Sequence, residues 1–500
     1  MIQKRQLLLN VVMSVLQVLV NGGILLILYQ FLLYTLGVER LGTWAVVLST
    51  SSVATVANSG FSGSVVKYVA MYKARGQVET VSGIVQTATL SVGILLGFLL
   101  LAVYPFADWL FSLVIPAANI GEALSILPYV LLSLWITSIA SVFQSSFDGY
   151  QRFDLKSLMM IISSLSYLML CLLIVPAFAI KGLAYAQVTQ SLIFLTGSWF
   201  MLRRSMRFLP VFPFKWNRNL FVELVGYGFS FQISSMSQIF YDPITKILLS
   251  RFGGMAMTGY YEMARGMTCQ LRALLVTATQ VLIPAIADLQ ETNPMVIQKV
   301  YKDAYDLIYY LAVPFFSLII ILAPVISELW IGHYENDFVY FSTLLAIGWF
   351  ISLSSVPSSS ALLGIGDLRW FTIANVSIGV FNMALGLFLG SIFGGFAVVA
   401  AWVFSVSAGS LIVPISYHYC YNIPMIELLP KESKGISQAS LAGLSICLVF
   451  YYQMELAPLA MASVLVLLFF AVMVIPLMKH PVRKRLVKWI SHALLRQELH

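Results

Sequence analysis

Charge is scarce in this chain. Of its 500 residues only 10% are charged while 60% are apolar, against roughly 25% charged in an ordinary soluble domain. Too little polar surface exists to cover the molecule in water. Cysteine is scarce as well: Cys171, Cys269, Cys420 and Cys447 stand singly, with no CxxC. That excludes a disulfide scaffold and reads as small core residues. The five histidines (His333, His418, His480, His492 and His500) are dispersed, so no metal site is expected. Also missing are HExxH, GxSxG, a P-loop and a GxGxxG following a strand. The Gly364–Gly366 pair stands alone at a helix end. No catalytic residue is nominated, no cofactor is implied, and the chain reads as a non-enzyme driven by a gradient or by substrate supply.

What is present is long apolar runs. Several exceed the roughly 18 residues that mark a membrane-spanning helix, so the expected class is an all-α polytopic membrane protein. Fourteen spans are expected, at 7–36, 42–70, 80–106, 122–147, 155–178, 181–202, 220–250, 255–287, 300–327, 338–363, 369–391, 394–419, 436–456 and 458–478. The first is far too long for the apolar region of a cleaved signal peptide. The strongest interruption is 203–219, which holds Pro210, Pro213 and five cations, and reads as a cytoplasmic hinge.

The net charge of +8 resembles a nucleic-acid signal until its positions are read. With the N-terminus inside, 23 of the 29 Lys and Arg fall on the cytoplasmic side. Only Arg40, Lys181 and Arg251 fall outside, and Lys246, Arg265 and Arg272 lie within spans. The positive-inside rule then places both termini in the cytoplasm, and no nucleic-acid partner is expected. The tail 479–500 alternates Leu486, Ile490 and Leu494 with Arg485, Lys488 and Arg496, the pattern of a basic amphipathic helix lying on an anionic leaflet.

One internal offset repeats. Residues 217 apart match at Gly42 and Gly259, Trp44 and Tyr261, Gly149 and Gly366, Arg152 and Arg369. Six spans per repeat put both halves in the same orientation, related by an axis along the membrane normal. The expected organisation is an N-terminal lobe at 1–202, a linker at 203–219, a C-terminal lobe at 220–420, two added spans within 421–478, and the tail. Paired lobes flanking a cavity suit alternating access.

Charges within spans cost roughly 2.5–3.5 kcal/mol each at a helix centre, and here they gather on spans 7 and 8. Asp242 and Lys246 are four apart and share a face. Glu262, Arg265 and Arg272 form a stripe down the next helix. Arg272 lies about 25 Å below the outer end, at 1.5 Å per residue. Pro243 should kink span 7. Two readings stand side by side. In one, Asp242 pairs with Arg265 and Lys246 with Glu262, locking two helices; that scheme does not use Arg272. In the other, Arg265 and Arg272 bind an anion such as a diphosphate, Lys246 adds attraction from the outer side, and Asp242 and Glu262 act in gating or ion coupling. The first half offers amides instead: Asn10, Gln17, Asn21 and Gln30 in span 1 and Asn58 in span 2, which suit either sugar hydroxyls or neighbouring helices. Lys67 and the DGYQRFDLK segment at 148–156 stand at the cytoplasmic mouth.

Four stretches, LGVERLGTWAVV at 36–47, NSGFSGSVVKYVA at 58–70, GYYEMARGM at 259–267 and VLIPAIADL at 281–289, resemble the polysaccharide transporter branch of the multidrug/oligosaccharidyl-lipid/polysaccharide flippase superfamily, which includes O-antigen-type flippases. The resemblance covers nearly the whole chain through loose patterns. It implies a 12- or 14-helix, two-lobed, V-shaped MATE-like fold in the bacterial inner membrane. It also implies flipping of undecaprenyl-diphosphate-linked oligosaccharide for surface polysaccharide assembly, with membrane lipids, H+ or Na+ and other polysaccharide-assembly proteins as partners. Arg265 and Arg272 match the family's lumen-facing cations. Two departures bear on neighbouring families: residues 6–39 hold no arginine, unlike the lipid II flippases, and span 1 has no Asp or Glu, unlike many drug or cation exporters. A MATE-like drug/cation antiporter is the alternative. A membrane-embedded glycan enzyme would need longer outer loops.

Overall fold

The computed structural model describes residues 4–236, 241–279, 286, 289–290, 292–365, 367, 369–428 and 430–485. Everything regular in it is helical. The first series is α1 (Lys4–Leu36), α2 (Val38–Ala74), α3 (Val78–Val103), the short α4 (Ala107–Ser112), α5 (Ala117–Gly149) and α6 (Phe153–Ser205). Next come α7 (Arg218–Met236), α8 (Asp242–Phe252), α9 (Gly254–Thr279), α10 (Ile297–Trp330), α11 (Asn336–Leu353) and α12 (Val356–Ile365). The chain continues through α13 (Arg369–Phe393), α14 (Gly395–Cys420), α15 (Lys434–Gln453) and α16 (Pro458–Lys479). Among the described residues, ten helical runs are long and apolar enough to cross a membrane. One of them, Phe153–Ser205, is two helices joined at Ala179, whose φ of 50° breaks the helical path. This is a multi-pass, all-helical membrane protein.

The chain forms two compact units: Met1–Met263 with Gly379–Trp402, and Ala264–Ile378 with Val403–His500. In the first, Val65, Val69, Val85, Phe143, Phe147 and Leu202 make a dry core where α2, α3, α5 and α6 meet. In the second, Val325 of α10 packs with Leu465, Phe469 and Met473 of α16, so the last helix is held by the same apolar interdigitation that fills an ordinary core.

Span 7 differs from expectation. Pro243 does not kink a continuous helix; it occupies the first turn of α8, with Tyr241 as the residue before the helix. A proline there loses nothing, because the first-turn N–H groups have no intrahelical acceptor. Residues 237–240 lie outside the described residues, as do Gly366, most of 280–291 and the tail beyond 485.

The repeat offset has a physical counterpart in the first unit. Gly37 and Gly254, 217 apart, both take left-handed backbone angles, φ 82° and 84°, which glycine adopts without steric cost. One turn on, a Cβ at Gly42 would strike the carbonyl of Met255, and a Cβ at Gly259 would strike the carbonyl of Val38. Val38 and Met255 are themselves 217 apart. The contact is therefore reciprocal, as across a two-fold axis, and α2 and α9 cross backbone to backbone because small residues permit it. Arg152 and Arg369 also behave alike: each grips an aspartate two residues away, Asp154 at 3.0 Å and Asp367 at 3.0 Å.

The crossing yields a stability prediction. Gly42→Ala and Gly259→Ala should each cost about 1–3 kcal/mol through overpacking. Gly435→Ala, at a helical position with nothing within 4 Å, should be neutral or slightly stabilising. Thermal unfolding in detergent checks this; equal melting of Gly259→Ala and wild type would refute the close crossing.

Candidate functional site

The site is built at the junction of α8 and α9. Asp242 opens α8, where the helix dipole favours a carboxylate. Lys246 follows one turn later and reaches back to it, Nζ to Oδ2 at 3.0 Å. The same Nζ lies 2.7 Å from Oε2 of Glu262 on α9. Lys246 and Glu262 are 5% and 8% exposed, so one buried ammonium is held by two carboxylates. Tyrosines complete the set. The Tyr29 hydroxyl of α1 donates to Glu262 Oε1 at 3.0 Å, and the Tyr261 hydroxyl donates to Asp242 Oδ1 at 3.5 Å. Asn382 of α13, fully buried, donates from Nδ2 to the Tyr241 carbonyl at 3.0 Å and to Thr245 Oγ1 at 2.9 Å. It thereby fixes the start of α8.

Of the sequence-expected site residues, the structure brings together Asp242, Lys246 and Glu262. It gives Lys246 to both carboxylates, whereas the pairing expected from the sequence gave it Glu262 alone. Arg265 is half-buried on α9. Arg272, two turns further on, is half-buried with its guanidinium carbon 4.7 Å from the ring centre of Trp349 of α11, in a cation–π stack. Of the α1 amides, Asn10 bonds neighbouring structure, donating to the Gln151 carbonyl at 3.2 Å and accepting from the Asp154 N–H at 3.1 Å. Of the residues expected at the cytoplasmic mouth, Lys67 lies 3.7 Å over the Tyr227 ring and Lys156 pairs with Asp148 at 2.7 Å. Outside the spans, Arg369 holds the Asp367 carboxyl below its ordinary range through direct hydrogen bonds.

Tyr29, Asn382 and Trp349 escaped the sequence reading. Asn382 carried a signal: it is a single amide in the apolar run VFNMALGLF, and such residues in spans are usually bonded across helices. Tyr29 and Trp349 carried none, being aromatic residues among many.

Chemically, an ammonium shared by two carboxylates in a largely buried setting is a group whose partners can be exchanged. Such a group favours uptake of a proton or cation, or exchange of the lysine's partners for a stronger anion, because an isolated charge is costly there.

A family model described as polysaccharide biosynthesis protein matches residues 7–290, more than half the chain and a stretch containing Asp242, Lys246, Glu262, Arg265 and Arg272. The chain belongs to this polysaccharide biosynthesis protein family. No curated protein matches it significantly. Solved structures show the fold. The lipid II flippase MurJ, in an inward closed conformation, superposes with a TM-score of 0.72 at 14% identity, over 94% of this chain and 98% of that one. An inward-facing multidrug resistance MATE transporter of the MOP superfamily gives 0.70 at 14%, over 83% and 98%. A MOP superfamily transporter from Pyrococcus furiosus, described as having a binding pocket of reversed polarity, gives 0.61 at 13%, over 84% and 96%. The fold of this polysaccharide biosynthesis protein is thus the MATE- and MurJ-like one.

The triad is testable by charge removal. Lys246→Met should destabilise by about 3–5 kcal/mol, since breaking one side of a buried ion pair strands the other. Adding Asp242→Asn and Glu262→Gln to it should recover most of that loss. Unfolding midpoints of the single and triple variants decide; a triple variant no more stable than Lys246→Met would refute the shared-ammonium arrangement.

Proposed function

We propose that the protein flips a lipid-linked oligosaccharide, a glycan on undecaprenyl diphosphate, from the cytoplasmic to the outer leaflet of the bacterial inner membrane. The observation that carries this reading is the pair of arginines on α9, Arg265 and Arg272, within a MATE- and MurJ-like fold of a polysaccharide biosynthesis family. Diphosphate is the anion such a substrate carries across, and arginine's forked donors suit phosphate oxygens. Arg272, stacked on Trp349, and Arg265 are the proposed phosphate ligands.

Lys246 enters differently. In the conformation described, both carboxylates hold it, so its role is a switch: the incoming diphosphate competes with Asp242 and Glu262 for the ammonium. The carboxylates it leaves are like charges in apolar surroundings, and a proton or Na+ taken up there offsets their repulsion. That links head-group binding to a change of state through differential affinity. The working molecule is a transporter of fourteen spans in two six-helix lobes followed by α15 and α16: the ten most apolar runs count as eleven, because Phe153–Ser205 is two helices, and α2, α7–α8 and α9 supply the other three. Both termini are cytoplasmic by the positive-inside count. A second reading, a drug/cation antiporter, is favoured by the two carboxylates that meet at Lys246, Asp242 and Glu262, which suit a cationic cargo.

The test is a leaflet assay on purified protein in liposomes, following labelled undecaprenyl-diphosphate oligosaccharide as it becomes accessible to an impermeant probe. Wild type should move it, and Arg272→Ala should slow movement at least tenfold at normal protein levels. Full activity of Arg272→Ala would remove the arginine from the cavity. Gradient-driven uptake of a cationic drug, with no movement of the glycolipid, would favour the antiporter.

A further inference from the structure

Segment 206–217, between α6 and α7, is strapped to α3. Met206 and Leu209 sink into the first unit's core. The Lys215 N–H donates to Gln86 Oε1 at 3.1 Å, the Asn217 N–H to Thr87 Oγ1 at 3.2 Å, and Trp216 Nε1 to Ser91 Oγ at 3.1 Å. Trp199 Nε1 holds the Val211 carbonyl at 2.9 Å. Three polar side chains within one of the most apolar helices are thereby accounted for. Between strap and helix lies a cavity of about 590 Å³, lined by Glu79, Thr80, Lys215, Trp216, Asn217 and Asn219 among others. Beside it Phe212, Phe214 and Trp216 are 62%, 78% and 51% exposed.

We propose that this cavity binds a membrane phospholipid carrying a phosphate diester and a primary ammonium, that is, phosphatidylethanolamine. Three observations converge. Position is the first: the cavity runs from Glu79 in the first turn of α3 to Thr87, about 12 Å along the helix, which covers the head-group layer and the top of the hydrocarbon. Size is the second. The volume lies within the range of about 300–1,000 Å³ for sites that take organic ligands, and suits a head group with its glycerol better than an inorganic ion. Charge is the third: one cation, Lys215, and one carboxylate, Glu79, line the same cavity, matching phosphate and ammonium respectively, while the asparagines and Thr80 serve the ester and glycerol oxygens. The exposed aromatics beside the cavity suit the interfacial belt where such rings settle and would flank the acyl chains.

The full-length protein in detergent, titrated with dioctanoyl phosphatidylethanolamine, phosphatidylglycerol or phosphatidylcholine, tests this by native mass spectrometry. Phosphatidylethanolamine should bind at least fivefold more tightly than either competitor. Glu79→Gln should erase that preference, and Lys215→Ala should weaken all three lipids severalfold. Both side chains are exposed and the strap's bond at 215 uses the backbone, so folding should be retained; Glu79→Asp and Lys215→Arg, which keep the charges, should bind as wild type. Equal binding of the three lipids, a preference for phosphatidylglycerol, or wild-type behaviour of Glu79→Gln overturns the assignment. Soluble phosphoethanolamine competing as strongly as the lipid would make the occupant a free metabolite and overturn it too.

Discussion

A single buried ammonium organises the middle of the chain. Lys246 lies where water cannot solvate it, and an unpaired charge there would shift toward neutrality or unfold its surroundings. Its two carboxylates come from different helices, so satisfying the charge fixes α8 against α9. Tyr29 then ties Glu262 to α1, and Asn382 ties the first turn of α8 to α13. Four helices that are mostly apolar, and could slide past one another with little change in contact energy, acquire one register. Hydrophobic burial alone is non-directional; the directional part of this region's specification comes from these few polar atoms.

A second constraint acts at the glycine crossing, and it is purely steric. Gly42 and Gly259 admit the carbonyls of Met255 and Val38, so α2 and α9 approach more closely than any side chain would allow. Both helices follow a left-handed glycine that turns the chain back. The reciprocity of the contact explains why the offset of 217 survives at these few positions while neighbouring residues differ. Where two backbones touch there is one acceptable residue; where side chains face lipid, any apolar residue serves, and similarity between halves is lost.

That contrast also explains what could be read in advance. Helices and their approximate bounds were legible because the bilayer demands long apolar runs. The charged residues were legible because each is costly where it stands. Partner choice was not. Spacing placed Asp242 and Lys246 on one face, and the helix-locking scheme paired Lys246 with Glu262 and Asp242 with Arg265, but whether an ammonium takes one carboxylate or two depends on how helices cross. Tyr29 is separated from Glu262 by more than two hundred residues, and nothing marked it. Pro243 misled because a proline within an apolar run signals a kink or a helix start equally well, and only the break before Asp242 distinguishes them.

The geometry also decides what form of coupling is physically sensible. A lysine held by a single carboxylate forms a neutral pair, and a diphosphate that displaces the carboxylate merely exchanges one partner for another. A lysine shared by two is different, because drawing it away sets two carboxylates near each other in low dielectric, where Coulomb energies are several-fold larger than in water. A proton or metal cation can compensate that. Under the proposed function, substrate entry at Lys246 and cation uptake at Asp242 and Glu262 are two sides of one equilibrium, and each must favour the other by the same factor. In that proposal cation dependence follows from where one lysine is placed, without requiring a separate ion site.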